Sequence, residues 1–185
     1  MINEPPERRR SIRLKGYDYS QPGGYFVTIC TRDKECLFGE IVDGHIRLND
    51  LGRVVGKCWQ WLAEQYPHIQ LDEWIVMPNH FHGIMLIMNE RRGGSRTTPT
   101  QQKPLGRLIG AFKTVSTKQI NEFRDTPHAP VWQRNYYEHV IRNETDLEEI
   151  REYIENNPIK WLEDENHPAN AVGAVREPPV RNHSS

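Results

Sequence analysis

The twenty residues IQLDEWIVMPNHFHGIMLIM, 69 to 88, constrain the fold more than any other stretch. Apolar side chains run almost unbroken on either side of Pro78-Asn79, a pair that favours a turn, and they show no helical period. The segment reads as two central strands, about 70 to 77 and 80 to 88. A chain built around such a pair is sheet-based, and its other elements have to cover that sheet.

Those elements can be placed from periodicity and punctuation. GYFVTICTR, 24 to 32, is aromatic and β-branched and reads as a buried strand. CLFGEIVDGHIRLND carries two short apolar runs around Asp43-Gly44, a pair suited to the positive φ of a hairpin turn. Asn49 or Asp50 can cap a helix from about 51 to 66, with Leu51, Val54, Val55, Cys58, Trp61 and Leu62 on one face and Pro67 after its end. Leu108, Ile109, Phe112, Val115, Ile120 and Phe123 predict a second amphipathic helix from 105 to about 123. VWQRNYYEHVIRN, 131 to 143, reads as a strand, and Thr145-x-x-Glu148 is a capping-box pattern that starts a last helix near Asp146, stopped by Pro158. This order predicts an α+β fold, an antiparallel sheet flanked by helices.

At 185 residues the chain fits one domain, expected over 1–163, with a mobile basic loop at 89–104 and a disordered, proline-bearing tail over 164–185. Cys30, Cys36 and Cys58 are an odd number with no CxxC spacing, which favours a reducing compartment. No apolar h-region follows the basic N-terminus, and no stretch approaches the roughly 20 apolar residues of a membrane span. The net charge of −1 argues against a general nucleic-acid binder, but charge is segregated along the chain. Between Arg91 and Lys118 stand Arg91, Arg92, Arg96, Lys103, Arg107, Lys113 and Lys118 with no acidic residue, and Arg8, Arg9, Arg10, Arg13 and Lys15 form a second cluster. Both can follow a phosphate backbone or can simply be solvated faces.

Two patterns carry chemistry. Side chains alternate faces along a strand, so His80 and His82 point the same way with Cα atoms about 7 Å apart, a spacing that can chelate a metal. Two imidazoles leave such a metal under-coordinated, and an isolated His-x-His in a strand is more often a pair of hydrogen-bonded, partly buried histidines. In REYIENNP, 151 to 158, Tyr153 and Asn157 are i, i+4 neighbours on the flank of the helix's apolar stripe. There a hydroxyl and an amide can face a cleft, or the tyrosine can pack while the asparagine caps the helix.

Taken together and in order, MPNHFHGIM, WQRNYYEHVIRN and YIENNP resemble the REP-associated tyrosine transposases, a branch of the single-tyrosine HUH (histidine, hydrophobe, histidine) transposases. The resemblance covers about 12 to 162. It implies the ferredoxin-like, RRM-like HUH endonuclease fold and a metal-dependent endonuclease and strand transferase acting on single-stranded DNA with hairpins. It further implies Tyr153 as the nucleophile, Mg²⁺ or Mn²⁺ on His80 and His82 with Asn157 as a third ligand, and a 5′-phosphotyrosyl intermediate. The seven basic residues of 91–118 become candidate DNA contacts, and His139 a candidate to support a metal ligand from behind or to touch DNA. The implied setting is cytoplasmic and nucleoid-associated, without a membrane, as a monomer or homodimer. Tyr136 and Tyr137 are rival nucleophiles. A replication-type HUH nickase and a non-catalytic single-strand-binding module of the same fold are the alternatives.

Overall fold

A computed structural model describes residues 18, 19, 21–89 and 103–170. Its strands are β1 (Gly23–Cys30), β2 (Gly39–Val42), β3 (His45–Leu48), β4 (Ile69–Val76), β5 (His80–Ile87) and β6 (Tyr137–Ile141). Its helices are α1 (Asp50–Gln65), α2 (Leu105–Arg124) and α3 (Glu144–Asn156). The main sheet runs β4-β5-β1-β6 with every neighbour antiparallel. Without the β2–β3 hairpin the order is β-α-β-β-α-β, so β1 and β4 flank β5 as a split βαβ unit and the fold is ferredoxin-like α+β. No helix of the described residues is long and apolar enough to cross a membrane.

Alternation along the strands divides the interior in two. Tyr25, Val27 and Ile29 of β1 and Phe81, Met85 and Ile87 of β5 pack with Val55, Trp59 and Leu62 of α1 and Leu108 and Phe112 of α2 in the larger core. The opposite face carries Phe26 and Ile84, which with Tyr137, Ile150 and Ile154 form a smaller core beneath α3. His80 and His82 share a face with Ile84, so they look towards α3 and away from α1 and α2.

Polar ties hold α3 at both edges of the sheet. At the β6 edge, Asp146 accepts the backbone N–H of Arg142 at 3.0 Å and sits 3.0 Å from His139 Nε2. At the β4 edge, Arg151 forks onto Asp72, Nε to Oδ1 at 2.8 Å and a terminal nitrogen to Oδ2 at 2.6 Å. Asp72 lies inside a register shift between Leu71 and Trp74, an irregularity of the kind that re-aims side chains at a strand edge.

Most elements match the sequence reading. The hairpin turns at Asp43 and Gly44, with φ of 51° and 75°, and Asn49 caps α1 by accepting from the N–H of Gly52. Four expectations need correction. Of the two strands expected to be central, only β5 is; β4 lies at an edge of the sheet, paired on one side alone. The strand expected over 131–143 is ordered as β6 only from Tyr137 to Ile141, with one isolated bridge from Trp132 to Thr31. Between them the carbonyls of Gln133, Arg134 and Asn135 all accept from the Lys113 ammonium instead of from a strand. Helix α3 starts at Glu144, because Asn143 and not Thr145 is its cap, accepting from the N–H of Asp146 at 2.8 Å. The chain also stays packed past 163: Asn166 is buried, and Asn170 bonds back to the carbonyls of Leu162 and Asp164. The rest of the expected tail, 171–185, lies outside the described residues, as do the Arg8 to Lys15 cluster and most of the expected basic loop, including Arg91, Arg92 and Arg96.

Gly83 shows how tightly β5 is held. A Cβ there would come within 2.7 Å of Phe81 Cε1 and 2.8 Å of Trp59 Cζ2, both in the larger core. Gly83→Ala should therefore destabilise the fold by about 1–3 kcal/mol, the usual cost of overpacking, as read by chemical denaturation. An unchanged midpoint would mean that the rings can yield.

Candidate metal and nucleophile site

β5 enters the sheet directly after the Met77–Asn79 turn, closed by the Met77 N–H donating to the carbonyl of His80 at 2.8 Å. Pairing with β1 sets His80 opposite Cys30 and His82 opposite Thr28. The two imidazoles are 4.5 Å apart between centroids, and both are buried.

The hydrogen bonds around His80 settle its proton. The Asn79 amide nitrogen donates to the carbonyls of Lys34 and Asn166 at 3.0 and 2.7 Å, which leaves its oxygen 2.9 Å from His80 Nδ1. An amide oxygen only accepts, so His80 carries its proton on Nδ1 and Nε2 keeps a free lone pair. His82 Nδ1 lies 2.9 Å from the Thr28 hydroxyl, an arrangement that suits the same tautomer. Neither Nε2 has a hydrogen-bond partner among the described residues. Burial lowers His80 to about 4, against the opposing influence of the Asp164 carboxylate and the Asn157 amide. Burial also pulls His82 well below the ordinary histidine value, and the neighbouring His80 adds to this. Both rings are thus neutral at neutral pH, the form a metal needs.

Helix α3 brings the other groups. The Tyr153 ring lies 5.3 Å from that of His82 and 6.0 Å from that of Phe26, edge-on to both. One turn later, buried Asn157 donates from Nδ2 to Asp164 Oδ2 at 3.3 Å, while its Oδ1 has no partner among the described residues. A ligand atom from each of His80, His82 and Asp164 falls within 4.8 Å of the others. Two imidazole nitrogens and an amide oxygen, all buried and unsatisfied, beside a carboxylate are what a divalent cation would complete, since leaving such atoms unmet costs about 1–3 kcal/mol each. The residues present therefore fit a metal. Burial, with the Asp164 and Glu165 charges, raises the Tyr153 phenol well above its ordinary value, and the Asn157 amide works in the opposite direction.

The remaining candidates lie elsewhere. His139 meets Asp146 at the start of α3 and so holds the helix. Tyr137 is buried in the smaller core, and Tyr136 packs against the larger one beneath the Lys113 ammonium. Lys113 spends its donors on three backbone carbonyls, and burial lowers it to about 8, so it serves as an anchor for 133–135 and not as a free surface charge. Lys103 sits over the Tyr66 ring, Lys118 pairs loosely with Glu122, and Arg107 is exposed; Arg107 and Lys118 belong to α2, behind the sheet from the histidines. Asp164 was missed by the sequence reading. It is one of three consecutive acids, Glu163 to Glu165, beyond the expected end of the domain, and only the chain reversal after Pro158 shows which of them turns inward.

No family model matches the chain. A Haemophilus influenzae protein without an assigned function is 44% identical over 167 residues, covering 85% of this chain and 92% of its own length. A second protein of that organism, 25% identical over 151 residues and matching 77% of this chain and 74% of itself, is named as a REP-associated tyrosine transposase. A solved REP-associated tyrosine transposase bound to a REP hairpin superposes with a TM-score of 0.58 at 17% identity, covering 95% of this chain and 99% of that one. The chain is thus similar in sequence to one protein so named and shares the fold of another. In this chain the α+β fold puts the paired histidines and the helix tyrosine, far apart in sequence, on one side of one sheet.

The histidine environment has a consequence for acid stability. A ring at about 6.5 when unfolded and about 4 when folded binds fewer protons in the folded state, so stability is lost as pH falls through 6.5 towards 4. In EDTA the melting temperature should drop over that window, with His80 alone contributing on the order of 3 kcal/mol at its lower end. His80→Gln should flatten the profile relative to the unsubstituted chain. A profile equally steep in both proteins would assign the loss to the carboxylates.

Proposed function

We propose that this protein is a metal-dependent endonuclease and strand transferase for single-stranded DNA, with Tyr153 as its nucleophile. The observation that carries the reading is the buried cluster of unsatisfied His80 Nε2, His82 Nε2 and Asn157 Oδ1 beside Asp164, with the Tyr153 ring against His82. His80, His82 and the Asn157 amide would hold Mg²⁺ or Mn²⁺, with the Asp164 carboxylate in reach. When bound, the ion supplies positive charge that draws electron density from the scissile phosphate and favours loss of the phenolic proton.

Tyr153 Oη attacks phosphorus in line with the departing 3′ oxygen. The new O–P bond forms as the P–O3′ bond breaks, the phenol loses its proton, and the 3′ oxygen gains one and leaves as a hydroxyl. The 5′ side stays on the enzyme as a phosphotyrosyl diester, which conserves the energy of the broken bond. The 3′-hydroxyl of another strand can attack that diester, re-forming a phosphodiester and returning the proton to Tyr153 without ATP. Phe26 and His82 hold the phenol ring edge-on, so Oη needs little reorganisation to reach its target.

Hairpin-bearing single strands are the proposed substrate, by analogy with the relative solved on a REP hairpin. Arg107 and Lys118 of α2 lie on the opposite face of the sheet, so in this reading they touch DNA away from the scissile phosphate. End-labelled hairpin strands incubated with Mn²⁺ should yield a fragment ending in a 3′-hydroxyl, and EDTA should suppress it. Binding without cutting under every metal tested would favour the single-strand-binding module.

A further inference from the structure

We infer that Asp164 is an anionic metal ligand and that Asn79 is the positioning residue that holds it there. This rests on the metal-dependent reading above and extends it to residues outside the histidine pair and its helix.

Beyond α3 the chain turns back across the site, and the stretch from Asp164 to Asn166 is fastened by polar contacts. The Lys34 ammonium donates to the Glu165 carbonyl at 2.9 Å. The Asn79 amide donates to the Asn166 carbonyl at 2.7 Å, and the Cys30 thiol donates to Asn166 Oδ1 at 3.5 Å. The Asn166 N–H in turn donates to Asp164 Oδ1 at 2.6 Å, and Asn157 Nδ2 donates to Asp164 Oδ2 at 3.3 Å. These contacts aim one carboxylate at the two imidazoles.

Asn79 is central because both ends of its side chain are committed. Its backbone carbonyl accepts the Thr31 N–H and the Thr31 hydroxyl, each at 2.9 Å, which fixes where the side chain starts. Its amide oxygen then takes the His80 Nδ1 proton, and its amide nitrogen holds the Asn166 carbonyl. One fully buried side chain thereby orients a ligand imidazole and secures the segment that carries the carboxylate. Partners of this kind, one step removed from a metal, commonly change affinity about 10–100-fold. A carboxylate also gives an otherwise neutral nitrogen and amide set a charge, and with it an affinity for hard divalent cations.

The test is Mn²⁺ affinity of the full chain without DNA, by titration calorimetry and by electron paramagnetic resonance of the free ion. Asp164→Asn keeps the size of the side chain and one of its two acceptor oxygens, can retain the bond from the Asn166 N–H, and should weaken Mn²⁺ binding at least about tenfold, with the melting temperature little changed. Asn79→Ala should weaken it about 10–100-fold and shift the His80 tautomer, seen in long-range ¹H–¹⁵N spectra, a signature that destabilisation alone would not produce. Unchanged affinity in Asp164→Asn, with tight binding to the unsubstituted chain, would overturn the inference and leave the histidine-based reading intact. Weakened binding in Asp164→Asn but not in Asn79→Ala would overturn the role of Asn79. No Mn²⁺ binding by the unsubstituted chain would overturn both the inference and the metal-dependent reading beneath it.

Discussion

Tyr153→Phe should abolish the covalent DNA adduct, with a loss of cleavage on the order of 10⁴-fold or more, while DNA affinity and stability stay close to those of the unsubstituted chain. Phenylalanine keeps the edge-on contacts with Phe26 and His82 that seat the ring, and removes only an oxygen from a half-buried position. Neither rival tyrosine of the 131–143 segment offers a substitute. Tyr137 is 2% exposed and packed in the smaller core, and Tyr136 belongs to the larger core. Gel separation in SDS of labelled DNA and protein reads the result directly, and an adduct of undiminished yield would move the nucleophile to another residue.

His82→Ala should be nearly as severe for a different reason. It removes one of the two neutral imidazoles, so Mn²⁺ binding and metal-dependent cleavage should both be lost, because one imidazole with two oxygens makes a much weaker site. It also strips the ring from the stack with Phe26, at 5.5 Å between centroids, and leaves the buried Thr28 hydroxyl without its partner. The substitution should therefore cost on the order of 2–4 kcal/mol of stability, so cleavage has to be measured well below its melting temperature. Metal affinity by calorimetry separates the two effects. A folded His82→Ala chain that still cuts DNA in Mn²⁺ at the full rate would exclude the histidine pair as the metal site.

The parts of the fold read most directly from the sequence were those whose signal is local. The Pro78-Asn79 turn between two apolar runs marks β4 and β5, and the spacing of Leu108, Ile109 and Phe112 marks α2. The limits of β6 and α3 depend on groups distant in sequence. Lys113, some twenty residues earlier, takes the carbonyls that a longer strand would have used, and Asn143 outcompetes Thr145 as the cap because its side chain reaches the N–H of Asp146. The site divides in the same way. His80 and His82 are a strand pair and Tyr153 and Asn157 a helix pair, so their spacing announces them. Asp164 has no such period: it reaches the site through Asn79, 85 positions away, and through Asn166. The placement of α2 behind the sheet was equally hidden, because amphipathic spacing shows which face of a helix is buried but not which face of the sheet it covers.

The buried histidines are proposed to hold a metal that serves an attack by Tyr153. Peptide mapping of the DNA adduct tests it most directly, with hairpin-bearing single strands incubated in Mn²⁺ and in EDTA and the linked peptide identified by mass. One modified peptide is expected, carrying the nucleotide on Tyr153 and formed only in Mn²⁺. Modification of Tyr136 or Tyr137, or the same yield in EDTA, would contradict it.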